Sequence, residues 1–317
     1  MRLDARKPYH PQSRVSAVFL IGLLAFGAGW SSLAAGPESS PELLIRTDDV
    51  GMSHTVNVGV RRMIEMGMPF SASVMIACPW YLEAAKILRD NPQVSVGIHL
   101  TLNSEWEHYK WGPVLGSSRV PSLVDENGHF HTTGEDFAAA DIDLDEVRAE
   151  LRAQIERAVR AGLGVDYLDY HMGTAASTPE LLSIVEDLAR EYGLGLSRYF
   201  DEPSASLWAV EPEEKLTSLL DVVQRVENGK TTLLVMHLGL ETPEMGALVD
   251  INNPSDPYRV AEHRQAELDA ITSPAFRRAT ADRGISFVRY EDLIERHGLA
   301  AMKRPESSGY SMDEADE

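Results

Sequence analysis

The sequence predicts an α/β fold: a distorted (β/α) barrel of about seven parallel strands with surrounding helices. Three observations lead there. Short apolar runs alternate with longer amphipathic ones, roughly six to eight times along the chain, as a parallel sheet covered by helices requires. No Gly-rich phosphate loop follows the first run, which argues against a dinucleotide-binding sheet. Polar residues sit just past the C-terminal ends of several strands, where barrels place their chemistry.

The elements follow in order. Residues 42–47 read as a strand ending at Asp48-Asp49, and Val56 to Met66 as a helix. Phe70 to Ile76 is β-rich, and Pro79-Trp80 opens a helix through Arg89. Trp80 is expected to pack at that helix start. Residues 94–100 form another apolar strand. Residues 103–141 hold turn formers and little periodicity, the mark of a long loop insertion. Asn127-Gly128 within it reads as a hairpin turn with exposed His129 and His131. Asp143 to Gly162 is the clearest helix, with Leu144, Val147, Leu151, Ile155, Ala158 and Val159 at three- and four-residue steps. Glu156 and Arg160 form an i,i+4 pair. Strands at 165–170, 194–200, 231–236 and 285–288 alternate with helices at 179–192, 212–227, 257–271, 274–282 and 291–297.

The chain of 317 residues and 35.0 kDa is long enough for one large domain, placed at 42–300. Hydrophobic residues at 44% and charged residues at 25% exclude a mostly disordered chain. A formal charge of −20 repels phosphate backbones and argues against nucleic acid as a partner. One cysteine, Cys78, excludes an intrachain disulfide and a Cys-cluster metal site, and reads as a buried, inert thiol.

Residues 1–35 read as a signal peptide, followed by a short linker at 36–41. Arg2, Arg6, Lys7 and Arg14 precede an apolar run from Val15 to Trp30, and Ser32 and Ala34 suit a cleavage site. The run is about 16 residues, shorter than the roughly 20 of a comfortable span. An uncleaved anchor is the competing reading. The expected product is exported, periplasmic or extracellular, with no stable membrane span after signal removal. Residues 301–317 read as an acidic disordered tail. A homodimer is an allowed assembly.

Four strand ends carry chemistry: Asp48-Asp49, His99, Asp169-Tyr170-His171 and His237. Buried strand ends rarely receive such residues without a reason, because desolvating charge is costly. In a barrel they converge. One carboxylate and two imidazoles can hold a divalent ion with an open position. A second carboxylate can take a proton from water, and a further imidazole can protonate a leaving group. Singly, each histidine is more often structural, and Asp-Asp often caps the following helix.

These residues also carry a resemblance. Ile45-Arg46-Thr47-Asp48-Asp49-Val50-Gly51-Met52-Ser53 resembles the opening motif of the YdjC-like (ChbG-like) carbohydrate deacetylases. Residues 97–102, Leu168-Asp169-Tyr170-His171 and Met236-His237-Leu238-Gly239 resemble their later motifs, in the same order, as does Arg264-Gln265-Ala266-Glu267-Leu268. The resemblance runs from about Leu43 to Leu293. It implies a barrel-like fold and removal of N-acetyl groups from amino sugars. It also implies one divalent metal ion (Zn2+ or Mg2+), held by Asp49, His99 and His171. By position Asp48 would be the general base and His237 the general acid. The chain departs from the family at His54, at Met172-Gly173-Thr174 and at Leu238, which leaves the ligand set intact and bears on the sugar.

Trp106 and Trp111 in the long loop can form a substrate wall or a satellite core. Arg264 can orient Asp48, bind substrate, or lie on a helix surface. The competing functions are hydrolysis of another amide or ester at the same centre, and a secreted carbohydrate-binding protein without catalysis. Retention of both Asp48 and Asp49 argues against the latter.

Overall fold

The computed structural model describes residues 40–305. The expected signal peptide, residues 36–39 of the linker and residues 306–317 of the tail lie outside that range. Among the described residues no helix is long and apolar enough to cross a membrane.

The described strands are β1 (Glu42–Val50), β2 (Ser71–Val74), β3 (Ser95–Leu100), β4 (Tyr167–Tyr170), β5 (Gly195–Leu196), β6 (Ser204–Ser206), β7 (Thr231–Met236) and β8 (Ser286–Val288). Every pairing among them is parallel, in the order β5-β4-β3-β2-β1-β7-β6. The sheet curls into a half-barrel with helices around it. β7 runs along one edge of β1 from Glu42 to Thr47. β8 and β2 share the other edge: β8 takes Glu42–Leu44, and β2 takes the end that carries Arg46, Thr47 and Val50.

Alternation along β1 feeds two apolar clusters. Leu43 and Ile45 join the large core that includes the helices. Leu44 joins Tyr167, Leu233, Val235, Val288 and Tyr290 in a second cluster. By the same alternation Arg46 and Asp48 follow Leu44 on that face, so an apolar floor underlies a charged layer. Residues buried on both faces explain why β1 reads as a nearly unbroken apolar run up to its charges.

Helices α1 (His54–Glu65), α2 (Tyr81–Arg89), α3 (Gly134–Ala139), α4 (Leu144–Arg160) and α5 (Pro179–Tyr192) accompany the first strands. They are followed by α6 (Lys215–Arg225), α7 (Val260–Thr272), α8 (Pro274–Asp282) and α9 (Tyr290–His297). α4 begins at its Asp143 cap, which accepts from the backbone of Asp145 and Glu146. Its expected Glu156–Arg160 pair is present at 3.3 Å. The ends of its predicted stripe, Leu144 and Val159, are exposed, while Val147, Leu151, Ile155 and Ala158 are buried.

Several expectations are corrected. The predicted strand 194–200 pairs only at Gly195–Leu196, and β6 was not foreseen. Residues 103–141 contain the unforeseen α3, started by a Thr133–Asp136 capping box, while the expected hairpin turn at Asn127-Gly128 is present, with Val124 and Phe130 bridged antiparallel around it. His129 and His131 there are half-buried. Trp80 is 40% exposed and lies against the His54 ring at 5.2 Å instead of packing inward. The expected tail starts later than 301, because Lys303 donates its N–H to Tyr199 O and Arg304 pairs with Glu186. Cys78 is buried as expected, and burial pushes its thiol well up.

Gly97 of β3 lies against the Tyr167 ring, where a Cβ would meet Cζ at 2.3 Å. Gly97→Ala is expected to displace that ring, whose hydroxyl bonds Ser73 at 2.8 Å. The cost is about 1–3 kcal/mol, as for other overpacked cores. A calorimetric melt checks it, and an unchanged Tm would mean that the ring relocates freely.

Candidate metal centre

The C-terminal ends of β1, β3 and β4 bring three ligating groups together. Asp49, His99 and His171 each offer an atom within 4.8 Å of the others, and all three are buried. β1 achieves this by breaking its alternation. Its register with β2 shifts between Thr47 and Val50, and Asp49 takes φ +59°. The left-handed region is rare outside glycine, though aspartate tolerates it better than most. Both Asp48 and Asp49 thereby reach the centre. Beyond β4, Met172 (φ +49°) and Gly173 (φ +69°) turn the chain sharply after His171.

Asp49 Oδ1 lies 3.2 Å from Nδ1 of His171 and 3.5 Å from Nε2 of His99, without a well-formed hydrogen bond to either. Each imidazole has a carboxylate behind it. His99 Nδ1 lies 3.0 Å from Asp169 Oδ1, and His171 Nε2 lies 2.9 Å from Glu105 Oε2. A carboxylate only accepts, so these far nitrogens carry hydrogens. In the neutral rings the near nitrogens then present lone pairs toward Asp49 Oδ1. Three electron-rich atoms facing one another call for a proton or a cation between them.

The electrostatics agree. Burial alone would push His171 down, yet Glu105 and Asp49 carry it up to about 9. Burial also opposes His99, which the Asp169 and Asp48 carboxylates hold well above its ordinary value. Asp49 is held well below the usual carboxylate range, against the effect of burial, by Arg264 and the two imidazoles. Two imidazoles, one carboxylate and a carboxylate behind each ring fit a divalent cation with room for water. A second cluster, Asp48, His99 and Asp169, is equally close. It already holds a cation, because Arg46 bonds both Asp48 oxygens at 2.7 and 2.6 Å and lies 3.0 Å from Asp169.

The remaining expectations divide. His237 follows β7, and its Nδ1 is buried without a partner. Burial, with Arg264 and His99 nearby, pushes it down to about 4 against the pull of Asp49 and Asp48. It is therefore neutral at pH 7, so a role as general acid requires it to gain a proton first. Arg264 is buried and donates from Nη2 to Asp49 Oδ2 at 2.5 Å, so it serves Asp49 and not Asp48. Trp106 and Trp111 are also buried, with indole N–H groups donating to Met52 Sδ and Asn103 O. They build the packed core beneath the loop and present no open wall.

Sequence reasoning assigned no role of their own to Glu105, Asp169 or Trp208, and did not pair Lys215 with Glu267. Asp169 stood inside a quoted motif and faces His99 in register across β3 and β4. Glu105 and Trp208 lie in irregular chain, where no periodicity marks a residue.

Known proteins share this arrangement of sequence. A 263-residue match to a carbohydrate deacetylase of Geobacillus stearothermophilus is 28% identical and covers 80% of this chain and 98% of that one. One from Enterococcus faecalis is 28% identical over 270 residues, covering 80% and 99%. A crystal structure from Enterococcus faecalis V583, of a proposed cellobiose-phosphate cleavage protein, aligns with a TM-score of 0.64 at 27% identity. It covers 80% of this chain and 99% of that one. The family model described as YdjC-like protein matches residues 42–282, which takes in all four strand ends, and the chain belongs to that family.

Proposed function

We propose that this chain is a carbohydrate deacetylase that hydrolyses N-acetyl groups of amino sugars with the help of a divalent cation. The relatives named carbohydrate deacetylase support the reaction class. The observation that carries the cation is Asp49 Oδ1 set against two imidazole nitrogens, each ring backed by a carboxylate. Asp49, His99 and His171 would hold it. Two nitrogens and one carboxylate suit zinc better than magnesium, which prefers all-oxygen surroundings. A divalent cation bound there supplies Lewis-acid polarisation of the acetyl carbonyl and lowers the pKa of water.

The chain's own residues do the rest. Asp48, oriented through both oxygens by Arg46, takes a proton from the attacking water. The water oxygen bonds to the acetyl carbon, and the C–N bond breaks. The leaving amine needs a proton. His237 starts neutral, so it donates to the amine only after the proton that Asp48 took from water has passed to it, which returns Asp48 to its ionised form. Arg264 keeps Asp49 in place and ionised. The basic flank and short apolar run at the N-terminus support export of the protein.

The test is acetate release from N-acetylated oligosaccharides before and after chelation, with zinc and magnesium restored separately. Loss on chelation and recovery with one metal is expected. Full activity in the chelated protein would remove the cation from the mechanism, and no release from any sugar would remove the substrate class. N-terminal sequencing of protein from its native host is expected to begin near Gly36, and a start at Met1 on membranes would mean an anchor.

A further inference from the structure

We infer that Trp208 is the side chain against which the substrate's sugar ring packs, a specificity-determining residue beyond the reacting atoms; this rests on the deacetylase reading above. Trp208 follows β6 as His237 follows β7. The two strands are parallel neighbours, so both residues stand at the same end of the sheet. The indole centroid is 5.0 Å from the His237 ring at 58°, and Arg264 Cζ is 5.3 Å from the indole. The two rings therefore enclose an angle and do not lie flat on each other. Trp208 is half-buried, whereas Trp106 and Trp111 are closed off and Trp80 lies against His54. Among the described tryptophans, Trp208 is the one that touches the site residues and also reaches solvent. Lys215 Nζ and the His263 ring also lie 5.7 Å from the indole, and the part that still reaches solvent suits the C–H face of a pyranose.

The placement is built in. Lys215 Nζ, fully buried, donates to Leu207 O at 2.6 Å, to Trp208 O at 3.1 Å and to Glu267 Oε1 at 3.1 Å. Glu267 Oε2 accepts the backbone N–H of His237 at 2.6 Å. One buried ion pair thus fixes the backbone of Trp208 relative to that of His237. Burying two charges is a costly way to hold a surface loop. It is an apt way to set the span between an acetamido group at His237 and the sugar ring beside it.

The experiment titrates the protein calorimetrically with N-acetylglucosamine and its β-1,4 dimer, comparing wild type, Trp208→Phe and Trp208→Leu. Acetate release is followed in parallel. The leucine variant is expected to bind the dimer about tenfold more weakly, with KM rising more than kcat falls. The phenylalanine variant should stay within about threefold of wild type. Equal affinities in all three, a phenylalanine variant as weak as leucine, or no binding by wild type would each overturn the inference. Acetate release indifferent to Trp208 keeps the deacetylase reading and removes this one. Trp208-dependent binding without acetate release does the reverse.

Discussion

Asp48→Asn is expected to reduce turnover by about 10²–10⁴-fold while leaving cation affinity nearly intact. Both Asp48 oxygens are engaged by Arg46, and neither is needed to complete the Asp49–His99–His171 set. An asparagine there keeps much of the shape and loses the basicity. Asp49→Asn should do the opposite. It removes the anionic oxygen that faces the two imidazoles, so cation binding weakens and excess cation restores part of the activity. It also leaves Arg264 beside a neutral amide, and a buried charge stripped of its partner costs about 3–5 kcal/mol. Calorimetric cation titration, turnover and a melt on both variants separate these effects. Loss of binding in Asp48→Asn with normal binding in Asp49→Asn would reverse the two roles.

Cation affinity is expected to climb steeply with pH. Without a cation, His171 is carried up to about 9 and is protonated at pH 7, and the Asp169 and Asp48 carboxylates also hold His99 well above its ordinary value against burial. A cation must displace such protons. Affinity should therefore rise about tenfold per pH unit for each proton displaced, until His171 deprotonates unaided near pH 9. Titrations at pH 7 in buffers of different ionisation enthalpy count the protons released. A pH-independent affinity would place the cation elsewhere. The stability of the cation-free chain has the opposite sign. A raised histidine stabilises fully below its unfolded value and loses that contribution as pH rises through its folded value. The cation-free Tm should fall between about pH 6.5 and 9 on this account, and the cation-loaded Tm should not.

The parts legible in sequence were those with a repeating physical signature. β1, β3, β4 and β7 announce themselves because both faces are buried, and their polar ends stand out against apolar runs. That contrast exposed Asp48, Asp49, His99, His171 and His237. What stayed hidden depends on distant chain. Arg264 sits on a helix whose buried and exposed residues do not separate by periodicity, and only tertiary structure shows it bonded to Asp49. Trp106 and Trp111 belong to a loop whose burial is set by contacts such as Trp106 with Asp250. The three-residue β6 is too short to show alternation. The His237 charge state follows from enclosure, which no local pattern encodes.

The place of β1 between β7 and β8 has a consequence for the order in which the molecule can assemble. Glu42 bonds Thr231 across 189 residues, and Ser40 bonds Ser286 across 246. The strand that carries the two aspartates is thus flanked by segments among the last to leave the ribosome. Closing such long loops must precede the contacts that compensate for it, which slows folding. A nascent chain that has reached only His171 has both histidines and both aspartates, but lacks β7 and β8 to seat β1. The centre is therefore completed late, and on the proposed reading a cation would load onto a finished domain. Under the proposed export, that timing places metal acquisition on the far side of the membrane, where the supply of ions outside the cytoplasm would decide which one is taken.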